Sequence, residues 1–341
     1  MQQTILVTGA AGFIGFHLCK SLLKKGYNIV GLDNINDYYD INLKFSRLKE
    51  LGFDQKDTTC FNKITESEIY GSRMSFIRMN LEDRTELPKL FSKFTFNSVC
   101  NLAAQAGVRF SLENPEAYID SNVVGFLNLL EACRHNGKPK LVYASSSSVY
   151  GNNDSIPFKE SDDVSRPISL YAATKKSNEL MAYTYSHLYS IETIGLRFFT
   201  VYGPWGRPDM AMFLFTDAIE KDQPIKVFNE GNLSRDFTYI DDIINGVTTL
   251  LINKNKKEEL YRLYNIGNNK PVKLLDFILA IENKLEKTAR KEMLPMQPGD
   301  VEQTWADVNL LQKEYNYNSS TSIIQGVSNY VDWFLNYYKT K

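Results

Sequence analysis

The chain has 341 residues, enough for one large or two ordinary domains, and a formal net charge of −1. That balance argues against a general nucleic-acid binder or a membrane-surface protein, although local arginines can still hold an acidic nucleotide. The four cysteines (Cys19, Cys60, Cys100, Cys133) and three histidines (His17, His135, His187) are scattered without metal-ligand spacing, so no metal is expected and the thiols suit a reducing compartment.

Thr4-Ile5-Leu6-Val7-Thr8 reads as a short apolar strand that begins almost at Met1. No signal peptide or membrane span is visible ahead of it or elsewhere, and a cytoplasmic location is the default expectation. Gly9-Ala10-Ala11-Gly12-Phe13-Ile14-Gly15 follows at once, then a helical run through His17 to Leu23. Tyr27 to Leu32 reads as the next strand, and Asp33 ends it. Glycines let a backbone approach a pyrophosphate, and a helix N-terminus favours its charge. An acid about twenty residues beyond such a loop can bind the adenosine ribose hydroxyls and repel a 2′-phosphate, which favours NAD over NADP. A glycine turn alone would be ordinary; strand, loop, helix, second strand and terminal acid together point to a dinucleotide site.

Asn34 to Phe53 is a polar, tyrosine-rich loop leading into a helical stretch, and Asp54 to Ser75 shows no periodicity and reads as an irregular, exposed excursion. Strands are expected again at Met74–Met79 and from Ser98 into Ala103-Ala104. Asn114-Pro115-Glu116 opens a helix whose Val123, Val124, Phe126, Leu127, Leu129 and Leu130 form a broad apolar surface. Lys140 to Ala144 leads into Ser145-Ser146-Ser147-Ser148, by composition an ordinary turn.

Ser169-Leu170-Tyr171-Ala172-Ala173-Thr174-Lys175 reads as a helix start that sets Tyr171 and Lys175 on one face. A tyrosine with a pKa of about 10 is a poor base, but a neighbouring ammonium favours its phenolate, which can then take a proton from a hydroxyl whose carbon gives up hydride. By itself such a pair is usually a solvated helix face; the upstream nucleotide loop and serine cluster make the chemical reading strong. Glu192 to Arg197 is a further strand, and Ile323, Ile324, Val327, Val331 and Phe334 mark a packed terminal helix.

Together the glycine spacing, the serine cluster and Tyr171-x-x-x-Lys175 resemble the extended short-chain dehydrogenase/reductases over nearly the whole chain. The resemblance implies an α/β fold: a Rossmann-type doubly wound parallel sheet with a smaller C-terminal substrate-binding domain. It implies an NAD-binding domain over 1–196, to which a segment near 237–265 returns, and a mainly UDP-sugar-binding domain over 197–341. Gly9, Gly12, Phe13, Ile14, Gly15, Asp33, Asn80, Leu81, Ala103, Ala104, Tyr171 and Lys175 would then contact NAD. Asn80 stands where the family usually has aspartate, and Asn101 where it has histidine. Tyr171, Lys175 and Ser146 would be catalytic, with Ser146 sharing the substrate proton. At Ser147 and Ser148, sugar-nucleotide 4,6-dehydratases carry Asp-Glu, and UDP-glucuronate decarboxylases carry glutamate at the Ser148 position. Serine there leaves reversible oxidation, hence epimerisation.

Thr200 and the run Arg207-Pro208-Asp209-Met210-Ala211 are similar to UDP-glucuronate 4-epimerases, in which the matching threonine and arginine hold the hexuronate carboxylate. Arg235, in Ser234-Arg235-Asp236-Phe237, matches an arginine on the UDP diphosphate, and Asp300 a residue on the uridine ribose; Gln297 replaces a common arginine. Ser146, Ser147, Ser148, Thr200, Arg207, Arg235 and Asp300 are therefore the expected substrate contacts. The resemblance also implies a homodimer built on the helix after Asn114 and the Tyr171 helix. A 4-epimerase of neutral or N-acetylated UDP-hexoses, a UDP-glucuronate decarboxylase and a non-catalytic NAD-binding regulator remain as alternatives, the last disfavoured by the Tyr171/Lys175 pair.

Overall fold

The computed structural model describes residues 3–253, 259–296 and 301–339. In chain order the strands are β1 (Thr4–Thr8), β2 (Asn28–Asp33), β3 (Ile64–Ser67), β4 (Gly71–Arg78), β5 (Ser98–Asn101), β6 (Lys140–Ser146), β7 (Thr193–Phe198), β8 (Thr200–Tyr202), β9 (Ile225–Phe228), β10 (Ser234–Arg235), β11 (Phe237–Tyr239), β12 (Tyr261–Ile266), β13 (Val272–Lys273) and β14 (Lys291–Leu294). The chain divides into two compact units, one of Met1–Gly151, Asp163–Arg197 and Ile244–Tyr264, the other of Asn152–Asp162, Phe198–Ile243 and Asn265–Lys341.

The first unit is built on an eight-stranded sheet in the order β12-β7-β6-β5-β1-β2-β4-β3. β1 runs parallel to both β2 and β5, β2 to β4, and β5 to β6. The run β4-β2-β1-β5-β6-β7 has the doubly wound Rossmann order, in which the winding reverses beside the first strand and a ligand crevice opens at the carboxyl ends there. Ile5, Leu6 and Val7 of β1 are at most 1% exposed, as befits a strand covered on both faces. Leu6, Val30, Val99 and Leu141 of the sheet form one core with Phe126, Leu129 and Leu130 from the helix Gly125–His135 and Ala182 from the helix Leu170–Tyr189. That packing fixes both helices against the sheet.

The stretch expected to be irregular, Asp54 to Ser75, is ordered. It holds a short helix, Gln55–Thr58, then β3, which pairs antiparallel with β4, and β4 itself begins at Gly71. β3 is an edge strand with only Ser67 buried and a register shift between Glu66 and Ser67, so it lacks the alternation that marks a half-buried strand. The apolar stretch after Asn114 is not one regular helix. Asn114 caps a single turn at Pro115–Tyr118 by accepting from the Ala117 N–H (3.3 Å), a π-helical turn follows at Ile119–Val124, and the α-helix resumes at Gly125.

Among its described residues the second unit contains three two-stranded pairings: β8 parallel to β11, β9 parallel to β14, and β10 antiparallel to β13. Its helix Leu274–Leu285 packs against the helices Ala211–Glu220 and Ile323–Lys339. Phe237 and Phe277 stack with ring centroids 4.1 Å apart. The terminal helix buries Val327, Tyr330, Val331 and Phe334, while Ile324 is 73% exposed. Ile324 therefore does not belong to the packed stripe; Tyr330, three residues beyond Val327, does.

Candidate active site

The glycine loop joins β1 to the helix Phe13–Lys24. Gly9 has φ +71°, and a Cβ on it would lie 2.9 Å from the backbone nitrogen of Ala103, so the turn after β1 runs against the turn after β5. Only a residue without a side chain fits such a backbone approach. The two turns are also fastened by hydrogen bonds. The Thr8 hydroxyl donates to Asn101 Oδ1 (2.6 Å) and accepts from the Ala103 N–H (3.1 Å). The asparagine in place of a histidine thus serves as a buried clamp between neighbouring strand ends. Gly12 caps the helix without a side-chain hydrogen bond, and no acid occupies the first turn. The first amides are left without a side-chain acceptor at the positive end of the helix dipole, an arrangement suited to a pyrophosphate.

Asp33, at the end of β2, is 6% exposed. It accepts from the Ala11 N–H (3.1 Å) and the Ile35 N–H (2.8 Å), which ties the second strand to the glycine loop. A carboxylate has about four acceptor positions, so capacity for ribose hydroxyls remains. Phe13 is buried and Ile14 half-buried. Asn80 follows β4, whose Met79 N–H donates to the Asp33 carbonyl (3.1 Å). Leu81 lies in the core, with its carbonyl accepting from Asn128 Nδ2 (3.0 Å). Ala103 and Ala104 are partly buried at the end of β5. These features fit a dinucleotide: a close-approach loop, an uncapped helix start and a carboxylate at the far end.

Tyr171 lies in the first turn of the helix Leu170–Tyr189, which Ser169 caps by accepting from the Ala172 N–H (3.1 Å). The Lys175 ammonium is 5.9 Å from the Tyr171 ring centroid and donates to the Ala144 carbonyl (2.9 Å). Lys175 is 3% exposed, and burial lowers its pKa to about 8, so near neutrality it is still mainly a cation. The Tyr118 and Tyr171 rings pack at a steep angle with centroids 6.1 Å apart, and the Tyr118 hydroxyl donates to the carbonyls of Ala106 (3.0 Å) and Gly107 (2.5 Å). Ser146 ends β6 and Ser147–Tyr150 is a 3₁₀ turn. The Ser146 hydroxyl donates to Ser148 Oγ (3.1 Å) and accepts from the Ser148 N–H (3.2 Å). The Tyr171 helix packs on both β6 and this turn, so one face of the helix and the serine cluster share a neighbourhood.

In the second unit Thr200 opens β8, opposite Phe237 of β11, and its N–H donates to the Asp236 carbonyl (3.1 Å). The register therefore sets Thr200 beside the segment that carries Arg235. Arg235 Nη1 donates to the carbonyls of Ser234 (3.0 Å) and Glu302 (3.1 Å), which anchors its guanidinium. Arg207 follows a turn in which Trp205 has φ +63°, and its guanidinium forks onto Asp209 through Nε (3.0 Å) and Nη2 (2.5 Å). Asp300 and Gln297 lie outside the described residues.

Several buried polar residues that support these groups are not evident in the linear chain. Asn122, in the π-helical turn, accepts from the Gln105 N–H (2.8 Å) and donates to Thr174 Oγ1 (3.1 Å), while its carbonyl accepts from Asn178 (2.6 Å). This amide network links the turn after β5 to the Tyr171 helix. Arg47 is fully buried and donates to the Ala11 carbonyl in the glycine loop (2.9 Å) and to the Tyr39 hydroxyl (2.7 Å). Asp236 is fully buried and accepts from the N–H groups of Asn268 (2.6 Å), Asn269 (3.0 Å) and Ala306 (3.1 Å). Burial pushes its carboxyl pKa up against the pull of these hydrogen bonds. None of them stands out in the linear chain: Arg47, Asn122 and Asp236 each follow a polar neighbour, as many surface residues do.

Among the described residues there is no cluster of His, Cys, Asp and Glu able to hold a metal, no disulfide, and no helix long and apolar enough to cross a membrane. A comparison with protein families matches residues 5–267 to the NAD dependent epimerase/dehydratase family. The chain is 52% identical to Protein CapI of Staphylococcus aureus, over 98% of this chain and 99% of that one. It is 42% identical to a probable UDP-glucuronate 4-epimerase of Rhizobium meliloti, over 96% of each. Among solved structures, UDP-glucuronic acid 4-epimerase from Bacillus cereus, in complex with UDP-glucuronic acid and NAD, matches with a TM-score of 0.87 and 35% identity, over 98% of this chain and all of that one. The chain belongs to the NAD dependent epimerase/dehydratase family; it is an enzyme that uses NAD, with nucleotide-sugar epimerases among its relatives.

Proposed function

We propose that the protein interconverts UDP-glucuronate and UDP-galacturonate by epimerisation at C4, through a 4-keto intermediate. The observation that carries this reading is a set of three: Tyr171 beside a buried Lys175 cation, serine rather than a carboxylate at Ser148, and Thr200 with Arg207 in the second unit. The likeness to named UDP-glucuronate 4-epimerases supports it.

Bound NAD would supply the acceptor, and then the donor, of the C4 hydride. The chain's own residues handle the proton and the grip. Lys175 favours the Tyr171 phenolate, which takes the proton from the C4 hydroxyl, and the Ser146 hydroxyl shares it. Reduction of the ketone returns the proton along the same path, so no net acid or base is consumed. Arg235 holds the diphosphate while the keto sugar turns its other face. Asp300, outside the described residues, is assigned the uridine ribose. Thr200 and Arg207 hold the hexuronate carboxylate, since a guanidinium suits a carboxylate through two parallel hydrogen bonds. A 4-keto hexuronate is a β-keto acid and can lose CO₂. Their grip keeps the carboxylate C–C bond poorly aligned with the ketone, and Ser148 adds no acid to assist the loss.

The test is product identification by NMR with UDP-glucuronate, UDP-glucose and UDP-N-acetylglucosamine offered separately. UDP-galacturonate from the first, with little turnover of the others, supports the reading. UDP-pentose would mean decarboxylation and would remove the significance given to Ser148. Arg207→Ala should raise KM for UDP-glucuronate at least 10-fold and release some UDP-pentose; neither effect would leave Arg207 without this role.

A homodimer is part of the same reading. The helix Leu170–Tyr189 leaves Leu180, Tyr183 and Leu188 more than half exposed, at 58%, 56% and 59%. Ile119 and Leu127, from the stretch after Asn114, are also exposed, and this apolar surface is what a second copy would cover.

A further inference from the structure

Glu179 lies four residues beyond Lys175 and eight beyond Tyr171, hence on nearly the same helix face. It is 1% exposed and paired with the equally buried Arg197 of β7. Arg197 donates from Nε to Glu179 Oε1 (2.9 Å) and from Nη2 to Oε2 (3.0 Å). Ser145 Oγ donates to the same carboxylate (2.7 Å), and Lys176 reaches it at 3.2 Å. The remaining guanidinium edge donates to the Tyr150 hydroxyl (3.0 Å). Burial alone would raise the Glu179 pKa; the Arg197 fork outweighs it and holds the carboxyl below its usual range.

A buried ion pair is a poor choice if stability alone is needed, because apolar residues of the same shape often serve as well or better. The location of this pair suggests another use. Ser145 directly precedes Ser146, and Tyr150 ends the turn that contains Ser147 and Ser148. Lys175 grips the carbonyl of Ala144, one residue before Ser145. Two successive residues of β6 are thus fastened to side chains one turn apart on the Tyr171 helix. The same ion pair reaches the far end of the serine turn.

We infer that Glu179 and Arg197 are positioning residues, which hold Ser146 and the serine turn in register with Tyr171 through Ser145 and Tyr150. The inference rests on the reading that Tyr171 and Ser146 share the substrate proton. Neither Glu179 nor Arg197 needs to touch substrate: the rigid carboxylate–guanidinium fork keeps the strand end, the turn and the helix from sliding past one another.

The test uses variants that loosen the fastening and keep both charges: Ser145→Ala, Tyr150→Phe and the double variant. Steady-state kinetics with UDP-glucuronate are normalised to the NAD content of each preparation. Each single change should lower kcat roughly 10-fold with KM within about 2-fold, since small misplacements of reacting groups act on the chemical step. The acid limb of the kcat–pH profile should also move up, because a displaced Ser146 hydroxyl no longer helps Tyr171 take the substrate proton. A role in folding alone would lower the melting temperature and leave both normalised kcat and the pH profile in place, and that result overturns the inference. Glu179→Gln leaves Arg197 buried without its charge partner, so it serves only as a check that the pair matters to folding. An inactive unaltered protein would instead count against the proposed function, which separates the two failures.

Discussion

Replacing Gly15 with alanine tests the dinucleotide loop at its tightest point. An added Cβ would lie 2.1 Å from the Gly9 carbonyl oxygen and 2.7 Å from the Gly9 carbonyl carbon. Ordinary contact between a carbon and a carbonyl oxygen begins at about 3.3 Å, so the overlap exceeds roughly 1 Å. Both neighbours are backbone, and no side chain can swing aside. The loop after β1 or the helix Phe13–Lys24 must move by about an ångström. Overpacking of this kind costs about 1–3 kcal/mol, and rigid neighbours put Gly15→Ala toward the upper end. The loss of cofactor should be larger than the loss of stability, because the displaced parts are the loop and helix start that would meet the pyrophosphate. The assay is the NAD content of the purified protein, measured after acid release, together with Kd for added NAD and the melting temperature. NAD content should fall below a tenth of that of the unaltered protein, with Kd raised at least 10-fold. Gly71→Ala is the control: its Cβ meets nothing within 4 Å, although φ is +57°. It should cost about 1–2 kcal/mol of left-handed strain and leave NAD content unchanged. A Gly15→Ala protein that keeps its full NAD content would refute the account of the loop.

Tyr171→Phe should lower kcat at least 100-fold with NAD still bound, the range expected for loss of a general base; a variant with near-normal turnover would remove Tyr171 from the role of base. Lys175 gives a pH prediction for the cofactor-free protein. Its pKa of about 8 lies below the 10.5 of an ordinary lysine, so between these values the unfolded chain binds more protons. Stability relative to Lys175→Met should therefore rise from pH about 8 to about 10.5 and run parallel below 8, as urea unfolding can show; parallel curves throughout would contradict it. Light scattering at micromolar concentration should report a dimer, and the double change Leu180→Glu with Leu188→Glu should give a monomer; a monomeric unaltered protein would dismiss the interface.

What the sequence made legible was local. The glycine turn, its helix and the strand ending at Asp33 were readable as structure because they follow one another within one βαβ unit. Tyr171 and Lys175 were readable because one helical turn separates them. Edge strand β3 was not, since it buries too little to show alternation. The π-helical turn at Ile119–Val124 was hidden because no proline or glycine interrupts the helical stretch there. The supporting residues were invisible for a different reason. Glu179 and Arg197 are 18 residues apart, and Arg47 reaches Ala11 across 36. An arginine destined for burial looks like a solvated one until the sheet order brings its partner to it. The serine cluster lies between these cases: composition marks a turn, and only the fold shows Ser145 facing Glu179 while Ser146 caps the next turn.

The most direct measurement of the central claim uses UDP-glucuronate carrying deuterium at C4, incubated with the purified protein without added NAD and followed by NMR. The account predicts UDP-galacturonate with the deuterium still at C4, because the hydride leaves and returns within one bound complex. Conversion with loss of the label to solvent, or no conversion even when NAD is supplied, would contradict it.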